Sequence, residues 1–346
     1  MRITIYAEPD VFENVLLFQE DYPNWSFLFK YHTDICLNIS DEEYETLLKE
    51  NNELILSYIA ITGGREPLPL RDFFNEIYDL PEETIEEKPR DIFFLKLSKE
   101  DAADLSERIG VLVLSADDFN DKVLNLSFFK ELEEGQVWEN GASIGWHELF
   151  RLDAKPINSM VLVDEYIFEN TQKVKGQIVH IGEENMIQLL DKTLPQIILV
   201  PFHFTLITKY ESENEDELSA FATKIIIRIK ALRKYEILCE IVFQKSELFH
   251  NRKLIINYAN AACERGFCVF NPANMKEVRK INDFRLNQWF HALLESKGDL
   301  EFQSSFIRLK IVKKFSRDLV DGKYQGFVFG DCKTDKTLIN RLVNSV

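Results

Sequence analysis

Short apolar runs alternate with stretches of helical period along most of this chain, and that alternation limits it to sheets covered by helices. Arg2 to Ala7 predicts a first strand, followed by an amphipathic helix from about Asp10 to Glu20. Trp25 to Tyr31 and Thr33 to Asn38 resemble strands. Ser40 and Glu43 form a capping box for the next helix. Gly63 and Gly64 interrupt the chain, and Pro67 and Pro69 lead into a helix near Arg71 to Tyr78. Pro81 to Arg90 is acidic and poor in apolar residues, which predicts an exposed loop. Ile92 to Leu97, a helix capped by Ser98, and Val111 to Leu114 make a βαβ-like passage.

In the second half, Met160 to Phe168, Gln196 to Lys209, Tyr235 to Phe243, His250 to Asn257 and Gly266 to Phe270 read as strands. Glu183 to Thr193 and Asn214 to Lys234 read as helices, the latter acidic at its start and basic at its end, as its dipole favours. The longest apolar runs fall short of the roughly 20 residues of a membrane helix. Gln196 to Thr208, for example, is broken by Pro201 and His203, so no span is expected. Met1 to Glu8 turns polar too early for a signal peptide, and the five scattered cysteines fit reduced thiols. A cytoplasmic chain is the expectation.

Charge divides the chain further. Residues 1–150 hold 12 Lys and Arg against 33 Asp and Glu, whereas 223–285 hold 13 basic and 6 acidic residues. An acidic α+β domain over 1–145 is expected, followed by an α/β domain over 150–346 with a mixed sheet covered by helices. The boundary falls between Glu134 and Pro156. The acidic part repels nucleic acid, and 223–285 is where nucleic acid or another anion would bind.

Chemistry concentrates around His250. His250 and Arg252 lie two apart on a predicted strand and so share a face, with Lys253 beside them and Asn257 farther along. This spacing resembles the HxKxxxxD signature of the phospholipase D superfamily, with Arg252 for the lysine and Asn257 for the aspartate. The chain is similar there to the phospholipase D-like domain at the C-terminus of MIT-domain proteins, over about residues 156–270. Asp164 and Tyr166 on the first strand, the order of elements, and Arg265, Gly266 and Phe267 after the motif carry the likeness. In the intact superfamily an imidazole attacks phosphorus, a second histidine protonates the leaving oxygen, and lysines hold the phosphate oxygens.

The resemblance implies His250 as nucleophile in any active form, and Asn257, Asp164 and Tyr166 as motif-supporting residues. Arg252 and Lys253 are the candidate anion-binding residues there, with Arg228 and Lys224 on the preceding helix. His32, His147, His180, His203 and His291 lack the following residues of a second motif, and Asn257 lacks the charge of aspartate. The expectation is therefore a non-catalytic interaction or anion-sensing subunit with a protein partner and no cofactor or metal. The low-glycine, Lys-, Asn-, Ile- and Phe-rich usage resembles that of a bacterial chain, and a two-module, single-copy chain suits an accessory subunit of a bacterial defence or nucleic-acid-processing system, by analogy. The alternative is a homodimer acting as a phosphodiesterase or nuclease through His250.

Other signals are weaker. Asp117 and Asp118 sit where α/β proteins place ligands, and with Asp91 and Asp121 would be the residues to hold Mg²⁺. Gly63, Gly64 and Arg65 lack the lysine and spacing of a phosphate loop, and Cys263 has no histidine nearby in sequence.

Overall fold

The computed structural model describes residues 2–121, 137–138, 141–146, 156–168, 171–174, 176–209, 212, 214–244, 252–279, 282–289 and 298–346. Two compact units account for the chain: 1–126 with 289–303, and 127–288 with 304–346.

In the first unit, strands β1 (Ile3–Ala7), β2 (Thr33–Leu37), β3 (Leu68–Pro69), β4 (Ile92–Leu95) and β5 (Leu112–Ser115) form one sheet in the order β3-β2-β1-β4-β5. Every pairing is parallel. The α/β class of the chain holds, but this unit is more regular than the α+β arrangement expected. Its strands alternate with helices α1 (Pro9–Leu17), α2 (Pro23–Tyr31), α3 (Asp41–Lys49), α4 (Glu53–Ile61), α5 (Arg71–Asp79), α6 (Pro81–Ile85) and α7 (Lys99–Ile109). The central strands are apolar on both faces, as a doubly covered parallel sheet requires. Ile5, Ala7, Ile92, Phe93 and Phe94 are fully buried, and Tyr6 stacks on Phe93 at 4.6 Å.

Two segments of this unit differ from expectation. Trp25 to Tyr31 is helical because Pro23 starts the turn and the distant Asp121 carboxylate accepts the N–H groups of Asn24 and Trp25. Trp25, Leu28 and Phe29 then share the buried face. Pro81 to Arg90 begins with α6 and buries Ile85 and Arg90. The capping box of Ser40 and Glu43 forms as expected, and Gly110 ends α7 with φ of 65°.

The second unit is built on a mixed eight-stranded sheet, ordered β15-β11-β10-β7-β12-β13-β14-β6. Its strands are β6 (Val137–Trp138), β7 (Ser159–Val163), β10 (Phe202–Lys209), β11 (Ile237–Gln244), β12 (Lys253–Ile256), β13 (Ala259–Cys263), β14 (Asn282–Gln288) and β15 (Gly326–Gly330). A separate ribbon joins β8 (Thr171–Val174) to β9 (Gln177–His180). Strands β7, β10 and β11 run parallel, while β12 pairs antiparallel to β7 and β15 antiparallel to β11. The helices are α8 (Ile181–Thr193), α9 (Glu215–Lys230), α10 (Gly298–Val320, of which residues 304–320 belong to this unit) and α11 (Arg341–Asn344).

Strand β7 is shorter than Met160 to Phe168 because Asp164 accepts the Tyr166 N–H at 3.1 Å and turns the chain. Strand β10 starts only at Phe202, after Pro201, which has no N–H to give. Gly266 to Phe270 is not a strand: its sheet-like pairing is the single bridge from Phe270 to Val278.

Candidate functional site

Strands β7, β10 and β11 end together at one edge of the second sheet, and antiparallel β12 begins there. Asp164 follows β7 and Arg252 precedes β12, so the two meet across neighbouring strands. Arg252 Nε lies 3.7 Å from Asp164 Oδ1, its Nη1 donates to the Glu264 carbonyl at 2.6 Å, and its guanidinium sits 5.0 Å from the Tyr166 ring centroid. Lys209 approaches the same ring at 5.9 Å. Asp164 is 1% exposed and accepts the N–H of Phe267 at 2.7 Å as well as that of Tyr166. Burial raises its pKa, against the lowering effect of those amides and of Arg252.

This contact dictates a glycine. Gly266 has φ of 84°, and a β-carbon there would stand 2.7 Å from Asp164 Oδ2. Beside it, Glu165 is equally buried, with the Gln244 amide 3.4 Å away and Arg308 of α10 within electrostatic reach.

Of the residues nominated from the sequence, Arg252, Asp164 and Tyr166 are thus brought together. His250 lies outside the described residues. Lys253 is buried and donates to Ser304 Oγ at 3.0 Å. Arg228 and Lys224 face a different surface, the contact of α9 with α8, where Arg228 pairs with Glu183 and with Glu184, the latter at 2.9 Å, and Lys224 lies 3.5 Å from Glu183. Asn257 belongs to the hairpin at the far end of β12. There its Oδ1 accepts the N–H groups of Asn158 (3.3 Å) and Ser159 (3.2 Å), and its Nδ2 donates to Asn158 Oδ1 at 3.1 Å. An amide suits this work, since it both donates and accepts.

The middle of β11 holds a buried carboxyl. Glu240 accepts from the Thr205 hydroxyl and from the Ile339 N–H, both at 2.7 Å. Burial pushes its pKa up to about 7, with Asp331 adding to the rise and its hydrogen-bond donors opposing it.

In the first unit, sequence reading missed a polar cluster. Glu8 directly follows β1, is 1% exposed, and accepts hydrogen bonds from Tyr78 Oη (2.6 Å) and Asn38 Nδ2 (2.9 Å). Lys96, directly after β4, places its Nζ 3.7 Å from Glu8 Oε2. The signal was present: each of Glu8, Asn38 and Lys96 is the first residue after a strand of a parallel sheet. The Mg²⁺ set considered from the sequence does not assemble. Asp91 lies at the amino end of β4, bonded by the Thr4 N–H, whereas Asp117 and Asp118 follow the carboxyl end of β5, and Asp121 caps α2. Among the described residues no three His, Cys, Asp or Glu side chains are grouped to hold a metal ion.

All five cysteines are free thiols, four of them buried. Among the described residues, no helix is long and apolar enough to cross a membrane. No protein-family model matches this chain, and no curated protein matches it in sequence.

Proposed function

We propose that the second unit is a non-catalytic, phospholipase D-like interaction module, and that the chain serves as an accessory subunit of a bacterial defence or nucleic-acid-processing system. One observation carries the non-catalytic reading: each cation nominated to hold a phosphate already faces an oxygen of its own chain. Arg252 has Asp164 and the Glu264 carbonyl, Lys253 has Ser304, and Arg228 and Lys224 have Glu183. A phosphoryl group would have to displace these contacts before it could be clamped, and transition-state stabilisation needs donors aimed in advance. Asn257 supports the same reading, because it is fully buried in a hydrogen-bonded pair with Asn158 and has no carboxylate to offer a catalytic imidazole.

The deciding assay is turnover of DNA, RNA and a chromogenic phosphodiester by the whole chain, with EDTA present, beside His250→Ala. The expected result is no cleavage above background by either protein. Robust cleavage by the wild type that disappears in the variant would overturn this reading and establish the dimeric phosphodiesterase in its place.

A further inference from the structure

The order β3-β2-β1-β4-β5 reverses direction between β1 and β4, and the carboxyl end of the sheet at such a switch point is where open α/β sheets place a ligand crevice. Four side chains converge there: Glu8 after β1, Asn38 after β2, Lys96 after β4, and Tyr78 from the end of α5. The hydrogen bonds of the cluster are unevenly distributed. Glu8 Oε1 takes two, from Tyr78 and Asn38, whereas Glu8 Oε2 faces, among the described residues, the Lys96 ammonium at 3.7 Å, beyond hydrogen-bonding distance. Asn38 Oδ1 is buried and has no hydrogen-bond partner among the described residues. The crevice therefore presents acceptors in want of donors.

Electrostatics give the sign of the missing group. Glu8 is 1% exposed, and a buried carboxylate is costly unless a positive partner lies against it. Lys96 is a loose partner whose side chain is 55% exposed. Asp117 adds a second negative charge close enough to act on Tyr78. Residues 1–126 of this unit carry 28 acidic side chains against 11 basic ones, a field that draws cations and repels anions.

We infer that this crevice binds a cationic nitrogen, an alkylammonium or guanidinium group, which takes the place of Lys96 against Glu8 Oε2 and donates to Asn38 Oδ1. The group is carried either by a free polyamine or by a lysine or arginine of a partner protein. This inference concerns the other unit and does not depend on the absence of catalysis.

The test is isothermal titration of the whole chain at about 0.15 M salt, where long-range surface attraction is largely screened. The probes are spermidine and a short glycine-flanked peptide containing Lys and Arg. Saturable one-to-one binding is expected. Glu8→Gln, which keeps the side-chain shape, should weaken it by more than about tenfold, and the surface change Asp117→Asn by about threefold. Lys96→Ala should tighten it by about tenfold, because the competing ammonium is gone. If Glu8→Gln does not fold, the two surface variants still decide the matter, with opposite signs. Tighter binding of the peptide assigns the nitrogen to a protein partner, and tighter binding of spermidine to a free amine. No saturable binding of either probe, or binding that Lys96→Ala and Asp117→Asn leave unchanged, would overturn the inference.

Discussion

Tyr78 gives its phenolic hydrogen to Glu8 at 2.6 Å and takes the amide hydrogen of Lys96 at 2.8 Å, so one side chain ties the loop after β1 to the loop after β4. Burial, then the bond to Glu8, holds the phenol protonated well above its usual range. Tyr78→Phe removes both bonds and leaves a buried carboxylate with fewer donors. The expected loss is about 1–3 kcal/mol of unfolding free energy, read from urea titration. A loss below experimental error would mean that the loops are held by other contacts.

Glu240 predicts how stability changes with pH. Its folded pKa, about 7, lies above its ordinary value of 4.5, so the folded state retains a proton that the unfolded chain releases between those two values. Its stabilising contribution is complete below about pH 4.5 and is lost as pH rises through 7, by about 3 kcal/mol in all. Asp91, raised by burial to about 6, acts in the same direction. Between pH 5 and pH 8 the wild type should lose more stability, or gain less, than Glu240→Gln in urea titrations, a comparison that cancels the shared effects of Asp91 and of His203, whose pKa burial lowers to about 3 and whose slope is opposite. An equal difference in wild type and variant would remove Glu240 as its source.

Asn257→Ala should destabilise the second unit by about 2–3 kcal/mol, since it strands the buried N–H groups of Asn158 and Ser159. Thermal unfolding of the variant provides the check. A neutral outcome would show that the hairpin does not depend on this amide.

Gly266→Ala forces a positive φ on a residue with a β-carbon and drives that carbon to 2.7 Å from Asp164. A loss of about 1–3 kcal/mol is expected. The readout is again the melting temperature, compared with that of Gly176→Ala, where the same φ region meets open space.

Nucleic-acid binding by the whole chain should be weak and only shallowly dependent on salt. Within 223–285, Lys230 pairs with Asp331 at 2.7 Å, Arg233 with Asp191 at 2.9 Å, and Arg228 with Glu183, so fewer cations remain to release counterions from a duplex. A filter-binding series from 0.05 to about 0.3 M salt measures the slope. Submicromolar affinity with a steep slope would contradict this.

Local signals were legible in the sequence wherever they are self-contained. The Ser40 capping box and the Ser98 cap both form where the residues forecast them. The fate of Trp25 to Tyr31 was not legible, because a carboxylate 96 positions away bonds the Trp25 amide, and aromatic content alone favours a strand. The meeting of Arg252 with Asp164 and Tyr166 was foreseeable from the motif and strand spacing. The internal neutralisation of Arg228 and Lys224 was not, since it depends on how α8 packs on α9. Glu8 escaped notice because a single acid in a segment rich in acids stands out only once the strand order shows where β1 ends.

The division of the chain into units has a consequence for synthesis. Trp289 and residues 298–303 group with the first unit, yet they are made after β7 through β14 of the second. Units usually mature on the ribosome in the order in which they are translated. Here the earlier unit waits for a late segment, while the later one already has most of its strands outside the exit tunnel. A gene cut at codon 150 would therefore yield a first fragment deprived of part of itself, and the two halves would have to be expressed together to complete it.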